Sequence, residues 1–284
     1  LSLLAPLAET WCFMEESPVM TKHSFGTMGF GYSDWAGTFY PDGAKAGDYL
    51  SYYARQFDTV ELDTTFHATP PVERVRRWSE VTPAGFRFCV KTPREVTHEG
   101  ALDRRVGEMK TFLDVMRAFG PKLAMVLIQL PPSCGIDQFD ALERLFKSLP
   151  ADMRFAVEFR NGSWGQQRTL DLLREHRAAL VVAEYLDRPS RIHVTCDQLY
   201  VRWIGEHERF KELNHEQIDV STNLEWWKSE IERVTNAGTI KHVWGFFNND
   251  YSGYAIATCR RFMRLMGLPV REEADLAGQG RLFG

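Results

Sequence analysis

MVLIQLPPSCGIDQFDALERLFKSLPADMRFAVEF, residues 125–159, holds one complete structural period of this chain. Met125–Leu130 is a nearly continuous apolar run of strand length, bounded by the Pro131–Pro132 break. Phe139, Leu142, Leu145, Phe146 and Leu149 then recur at helical spacing, and Pro150 stops the pattern. Arg154–Phe159 is a second short run. Strands that are apolar on both faces need cover on both, and an amphipathic helix between two of them makes a parallel βα unit.

The same period extends in both directions. Eight strands are expected, centred on Ser24–Met28, Thr59–Asp63, Arg87–Lys91, Met125–Leu130, Arg154–Phe159, Leu180–Glu184, Leu199–Ile204 and His242–Asn248. Three further helical stripes stand between or after them. They are Val106, Met109, Phe112, Leu113, Met116 and Phe119; Leu224, Trp227, Ile231 and Val234; and Ile256, Cys259, Met263 and Met266. Residues 187–197, with Pro189, carry no such stripe, so the helix after the sixth strand is expected to be irregular or missing. The reading is α/β, a (β/α)₈ TIM barrel in one domain over residues 20–269. Residues 1–19 form an extension before Met20, and residues 270–284 a tail. A doubly wound dinucleotide fold is rejected because Gly26, Gly29 and Gly31 lack the G-x-G-x-x-G spacing.

Composition narrows the partners. A formal charge of −4 disfavours a chain that coats itself with nucleic acid, although a local basic groove is compatible with it. The five cysteines are widely spaced and include no C-x-x-C pair, which points to a reducing, cytoplasmic setting. No apolar run is long enough to span a membrane. The oligomeric state is not legible.

Polar residues gather where the strands end. Side chains alternate along a strand, so Glu61 and Asp63 share a face, as do Glu158 and Arg160. Lys91 and Glu184 end their strands, Gln129 and Arg202 come late on theirs, and Asn248, Asn249 and Asp250 follow the last one. Barrel active sites lie at this end, so a ligand pocket is expected there. Glu61, Glu158 and Asp63 are the candidate catalytic carboxylates. Lys91, Arg160 and Arg202 are candidate ligands for phosphate, carboxylate or an oxyanion, with Trp35, Tyr40 and Trp164 as candidate stacking surfaces on loops. A residue serving a site contributes little to folding, so Glu158→Gln is expected to change stability by about 1 kcal/mol or less.

Other plans lack their residues. Asn161 breaks the nucleophile-elbow pattern around Ser163, and neither H-E-x-x-H nor a P-loop occurs. Glu61, Asp63, Glu158, Glu184, His67 and His98 are metal-ligand types without diagnostic spacing. No cofactor or metal set is therefore assigned, with a catalytic divalent metal as the alternative.

The ordered segments GTMGFGYSDWAGTFYP (26–41), YYARQFDTVELDTTFHATP (52–70), GFRFCVKTPREVTH (85–98), VLIQLPPS (126–133), AVEFRNGSW (156–164), LYVRWIG (199–205) and WGFFNNDYSGYA (244–255) resemble the YecE-like barrels, domain of unknown function 72. The likeness runs from Ser24 to Leu268. It implies a TIM-type barrel with a pocket formed by Glu61, Lys91, His98, Gln129, Glu158, Arg160, Trp164, Arg202, Asn248, Asn249 and Asp250, and implies no reaction. Four positions depart from the family pattern. Asp63 stands where Asn is usual, His67 where Tyr is, Asn161 where His is, and Ile204 where His is frequent. Similarity in shape to abasic-site endonucleases and sugar isomerases is at the level of fold alone. Two functions fit: a hydrolase of a phosphodiester or glycosidic bond, or a non-catalytic barrel binding nucleic acid or a phosphorylated metabolite.

Overall fold

A computed structural model describes residues 20–185 and 191–271. The expected extension 1–19, most of the expected tail and Pro189 lie outside the described residues. Eight parallel strands form a single sheet in the order β1-β8-β7-β6-β5-β4-β3-β2, curled into a nearly closed barrel. They are β1 (Lys22–Thr27), β2 (Thr59–Leu62), β3 (Arg87–Lys91), β4 (Leu123–Leu130), β5 (Phe155–Phe159), β6 (Ala179–Glu184), β7 (Gln198–Trp203) and β8 (His242–Phe247). Each lies on the stretch expected for it, with ends shifted by at most two residues.

Helices cover the outer face. They are α1 (Tyr49–Gln56), α2 (Val72–Glu80), α3 (Arg94–Thr97), α4 (Val106–Met116), α5 (Phe139–Ser148), α6 (Gln167–Glu175), α7 (Ser221–Thr235) and α8 (Ala255–Leu265). In α7 the buried residues Leu224, Trp227, Ile231 and Val234 are the stripe read from the sequence. In α8 the stripe turns toward Phe262, leaving Met263 and Met266 half-buried. No helix occurs among the described residues between β6 and β7, and α4 gives way to a tight turn in which Gly120 adopts φ 56°. None of the described helices is long and apolar enough to cross a membrane.

Two apolar layers follow from strand alternation. Outward side chains such as Val60, Val90, Ile128, Val157 and Val201 pack beneath the helices. Inward ones, including Cys89, Met125, Leu127, Ala156, Val181, Tyr200 and Phe246, fill the barrel. Among the described residues Cys89, Cys134, Cys196 and Cys259 are free thiols.

The seam between β1 and β2 is built differently. The strands meet through one bridge, Met28 to Glu61, with the Gly29 amide donating to the Glu61 carbonyl at 2.7 Å. Below it the Tyr53 hydroxyl from α1 accepts from the Thr27 amide at 2.9 Å and donates to the Thr59 carbonyl at 3.1 Å. The side chain thus satisfies backbone groups that a ladder would otherwise pair. A Cβ at Gly26 would stand 2.2 Å from the Thr59 carbonyl oxygen, so glycine is required for this approach.

Candidate functional site

Alternation along the strands determines which polar residues enter the barrel. Glu61 follows the parity of the β2 seam, Lys91 that of Cys89, Gln129 that of Leu127, Glu158 that of Ala156, and Arg202 that of Tyr200. The Arg202 guanidinium stands between two carboxylates. Its Nη2 donates to Glu61 Oε1 at 2.7 Å and its Nη1 to Glu158 Oε2 at 2.5 Å. Glu61 Oε2 accepts from the Tyr200 hydroxyl at 2.7 Å. Glu158 Oε1 accepts from Arg160 Nε at 2.9 Å and from the Tyr185 hydroxyl. Glu61, Glu158 and Arg202 are at most 2% exposed, so these charges are sealed from water and depend on one another.

The two glutamates respond to that setting in opposite ways. Burial, reinforced by Asp63 and only partly offset by Arg202, pushes Glu61 up to about 7. Burial also acts upward on Glu158, but Arg202 and Arg160 outweigh it and hold this carboxyl down at about 2. The partners of Glu158 reverse the expectation that Glu158→Gln is nearly neutral. The change removes a buried negative charge facing two guanidinium groups.

Above this sealed layer lies one that solvent reaches. The Asp63 side chain is 34% exposed, with Oδ1 at 3.5 Å from Arg202 Nη2 and 3.8 Å from Lys91 Nζ. Lys91 Nζ sits 4.0 Å above the Phe66 ring, and burial lowers its pKa against the pull of Asp63. Phe66 meets the His98 ring edge-on at 5.0 Å. Burial lowers the His98 pKa, as do the charges of Lys91, Arg94 and Arg160. Arg160, 30% exposed, lies 5.2 Å from the centre of the Tyr185 ring. Gln129 pairs in register with Glu158, and its buried side-chain oxygen has no hydrogen-bond partner.

Several expected site residues serve elsewhere. Glu184 is of the opposite parity and points out of the barrel, where Asn223, Trp227 and Tyr251 donate to it. The barrel-facing neighbour is Tyr185, one residue later. Trp35 and Tyr40 are 0% and 1% exposed, and Trp164 is 3% exposed, which corrects their reading as stacking surfaces. Trp35 donates to Asn249 Oδ1 at 3.2 Å, Tyr40 stacks on Tyr49 at 3.9 Å, and Trp164 donates to the Cys134 carbonyl at 2.7 Å. The asparagine pair after β8 also builds a loop. Asn248 Oδ1 accepts from the Asp250 amide and Asn249 Oδ1 from the Ala255 amide, while Asp250 Oδ2 accepts from the Glu208 amide. Tyr200 and Tyr185 are members of the site that the sequence reading does not include. The signal for Tyr200 was its parity with Arg202. Among the described residues no group of three or more His, Cys, Asp or Glu side chains is arranged to hold a metal ion.

These features define an eight-stranded α/β barrel with a cluster of charged side chains at the C-terminal ends of its strands. The chain belongs to the family described as protein of unknown function DUF72, whose model matches residues 24–279. It is 25% identical over 271 residues to the UPF0759 protein YunF of Bacillus subtilis, covering 86% of this chain and 94% of that one. A segment of 112 residues is 38% identical to the UPF0759 protein YecE of Escherichia coli K12. That match covers 39% of this chain and 41% of YecE, less than half the length of that relative. A DUF72 family protein of Thermotoga maritima superposes with a TM-score of 0.72 at 28% identity, over 87% of this chain and 99% of that one. One from Enterococcus faecalis, at 21% identity and TM-score 0.71 over 88% and 97% of the two chains, shares the fold.

Proposed function

We propose that the C-terminal mouth is the active site of a hydrolase that acts on a phosphodiester. The observation that carries this reading is the division of the charged cluster into two layers. Glu61, Glu158 and Arg202 are sealed beneath, whereas Asp63 and Arg160 reach solvent and Lys91, its side chain 11% exposed, stands between the two layers. Lys91 and Arg160 bind the phosphate oxygens and offset charge that develops there. Asp63 accepts a proton from the attacking water as its oxygen bonds to phosphorus; the P–O bond to the leaving alkoxide breaks, and that oxygen takes its proton from solvent. The buried glutamates hold Arg202 and Arg160 in place and act as positioning residues. A glycosidic substrate is less well supported, because both buried carboxylates already face the same guanidinium.

The full engagement of Glu61 and Glu158 also favours a second reading, binding of a phosphorylated metabolite without chemistry. Hydrolysis of bis(p-nitrophenyl) phosphate separates the two. Under the hydrolase reading, Asp63→Asn lowers the rate by about 100-fold or more and leaves phosphate-induced thermal stabilisation in place. Arg160→Gln diminishes both. A wild-type protein that is stabilised by phosphate through Arg160 and hydrolyses nothing supports the binding reading. Equal phosphate shifts in wild type and Arg160→Gln, at constant ionic strength, remove both.

A further inference from the structure

The opposite end of the barrel holds a second charged cavity that the proposed active site does not use. It has a volume of about 600 Å³, and its floor is the stacked pair His242 and Trp244, with ring centres 3.7 Å apart. Its wall carries four cations, Lys22, Arg87, Arg117 and Arg154, against one carboxylate, Asp152. Lys22 opens β1, Arg87 opens β3 and Arg154 immediately precedes β5. Alternate strands supply side chains to one layer of a barrel, so these three cations ring the mouth at similar depth.

Compensation within the ring is incomplete. Asp152 is taken by Arg117, at 2.5 Å and 3.0 Å, and Arg154 bonds to Asp197 at 3.0 Å. Lys22 and Arg87 have no carboxylate within ion-pairing distance among the described residues. Arg87 is nevertheless held in place, because its Nη1 donates to the carbonyls of Ala84 and Phe86 at 3.0 Å and 2.9 Å. The remaining guanidinium donors are oriented without the cost of ordering a free side chain. His242 bonds through Nε2 to Ser24 at 2.9 Å. Burial first, and then Lys22, His23, Arg87 and Arg154, hold its pKa at about 3, so the floor adds no positive charge and also supplies no counterion. A concave site lined mostly by one sign of charge focuses such a field.

We infer that the N-terminal mouth is a binding site for a small molecule bearing two adjacent phosphates, held by Lys22, Arg87 and Arg154. The excess of cations matches the roughly two to three negative charges of a pyrophosphate group. A cavity of about 600 Å³ lies within the range of small-molecule sites, roughly 300–1,000 Å³. Duplex nucleic acid is too wide to enter it. The site is separate from the phosphodiester pocket, since it lies at the other end of the same strands.

The test is calorimetric titration of the full chain with inorganic pyrophosphate and with orthophosphate at constant ionic strength. Pyrophosphate should bind more tightly than orthophosphate. In an Arg160→Gln background, which disables the proposed phosphate site at the far mouth, pyrophosphate should still bind, and adding Lys22→Gln or Arg87→Gln should weaken that binding by about tenfold or more. If Arg87→Gln fails to fold because its carbonyl contacts are lost, Lys22→Gln and Arg154→Gln carry the measurement. The inference is overturned by the absence of pyrophosphate binding, by affinities equal in wild type and the variants of this mouth, or by a loss confined to Arg160→Gln.

Discussion

Glu158 and Glu184 stand on neighbouring strands, are both 1% exposed, and are held in opposite ways. Glu158 faces into the barrel and meets two guanidinium groups and a tyrosine. Glu184 faces outward and meets an asparagine, a tryptophan and a tyrosine, none of them cationic. The outer carboxylate is a fastener joining β6 to α7 and to the loop after β8, satisfied by neutral donors fixed in rigid elements. The inner one belongs to a chain of charges in which removing any member strands the next. A buried acid is thus not itself a sign of function. What distinguishes the inner group is that its cationic partners continue upward to groups that water reaches.

The largest effect separating the two regions is expected from Arg202→Met. It leaves Glu61 and Glu158 facing each other without their shared cation, and should cost about 3–5 kcal/mol in urea unfolding. A loss under 1 kcal/mol would mean that the inner carboxylates do not depend on it. Glu184→Gln should come next, at about 2 kcal/mol, since one amide end now points at donors. Its phosphate-induced thermal shift should equal that of wild type; a lost shift would tie the outer region to the pocket and erase the contrast.

The smallest effect is one of slope. Glu61 is raised from 4.5 to about 7, so between those values the folded chain keeps a proton that the unfolded chain has released. Its contribution to stability therefore falls as the pH rises through that window. Glu158, lowered to about 2, contributes stability above 4.5 that is lost only on acidification toward 2. Comparing Glu61→Gln with wild type at pH 5 and pH 8 isolates the first term. The deficit of the variant should shrink at the higher pH, and a deficit that stays constant would show Glu61 to be ionised throughout.

The inner ladder was legible because it depends on period alone. Lys91, Gln129, Glu158 and Arg202 each follow an apolar residue of the same parity in a short strand, and Glu61 shares its parity with Asp63. Glu184 was misread because an expectation based on strand ends ignored that parity, which points to Tyr185 instead. Trp35, Tyr40 and Trp164 were misread for another reason. A loop aromatic can face solvent or a core, and only the fold decides which. α1, α2 and α6 were not read as stripes. In α2 only Val75 is buried, and α1 buries tyrosines together with Gln56, so neither presents a clean apolar face. The cationic N-terminal mouth was also illegible, since Lys22, Arg87 and Arg154 look like ordinary charges at strand starts until curvature brings them into one ring.

The Tyr53 hydroxyl at the β1–β2 seam ties the last joint of the barrel to a helix. Elsewhere in the ring, neighbouring strands supply one another's hydrogen bonds; here Thr27 and Thr59 depend on a group carried by α1. The ring cannot be completed by strand pairing alone, and α1 must be seated before the first and last-joined strands are fully satisfied. Seating of this helix and the fit of the β1–β2 joint are thus coupled through one hydroxyl, and Tyr53→Phe is expected to leave the Thr27 amide and the Thr59 carbonyl without that partner.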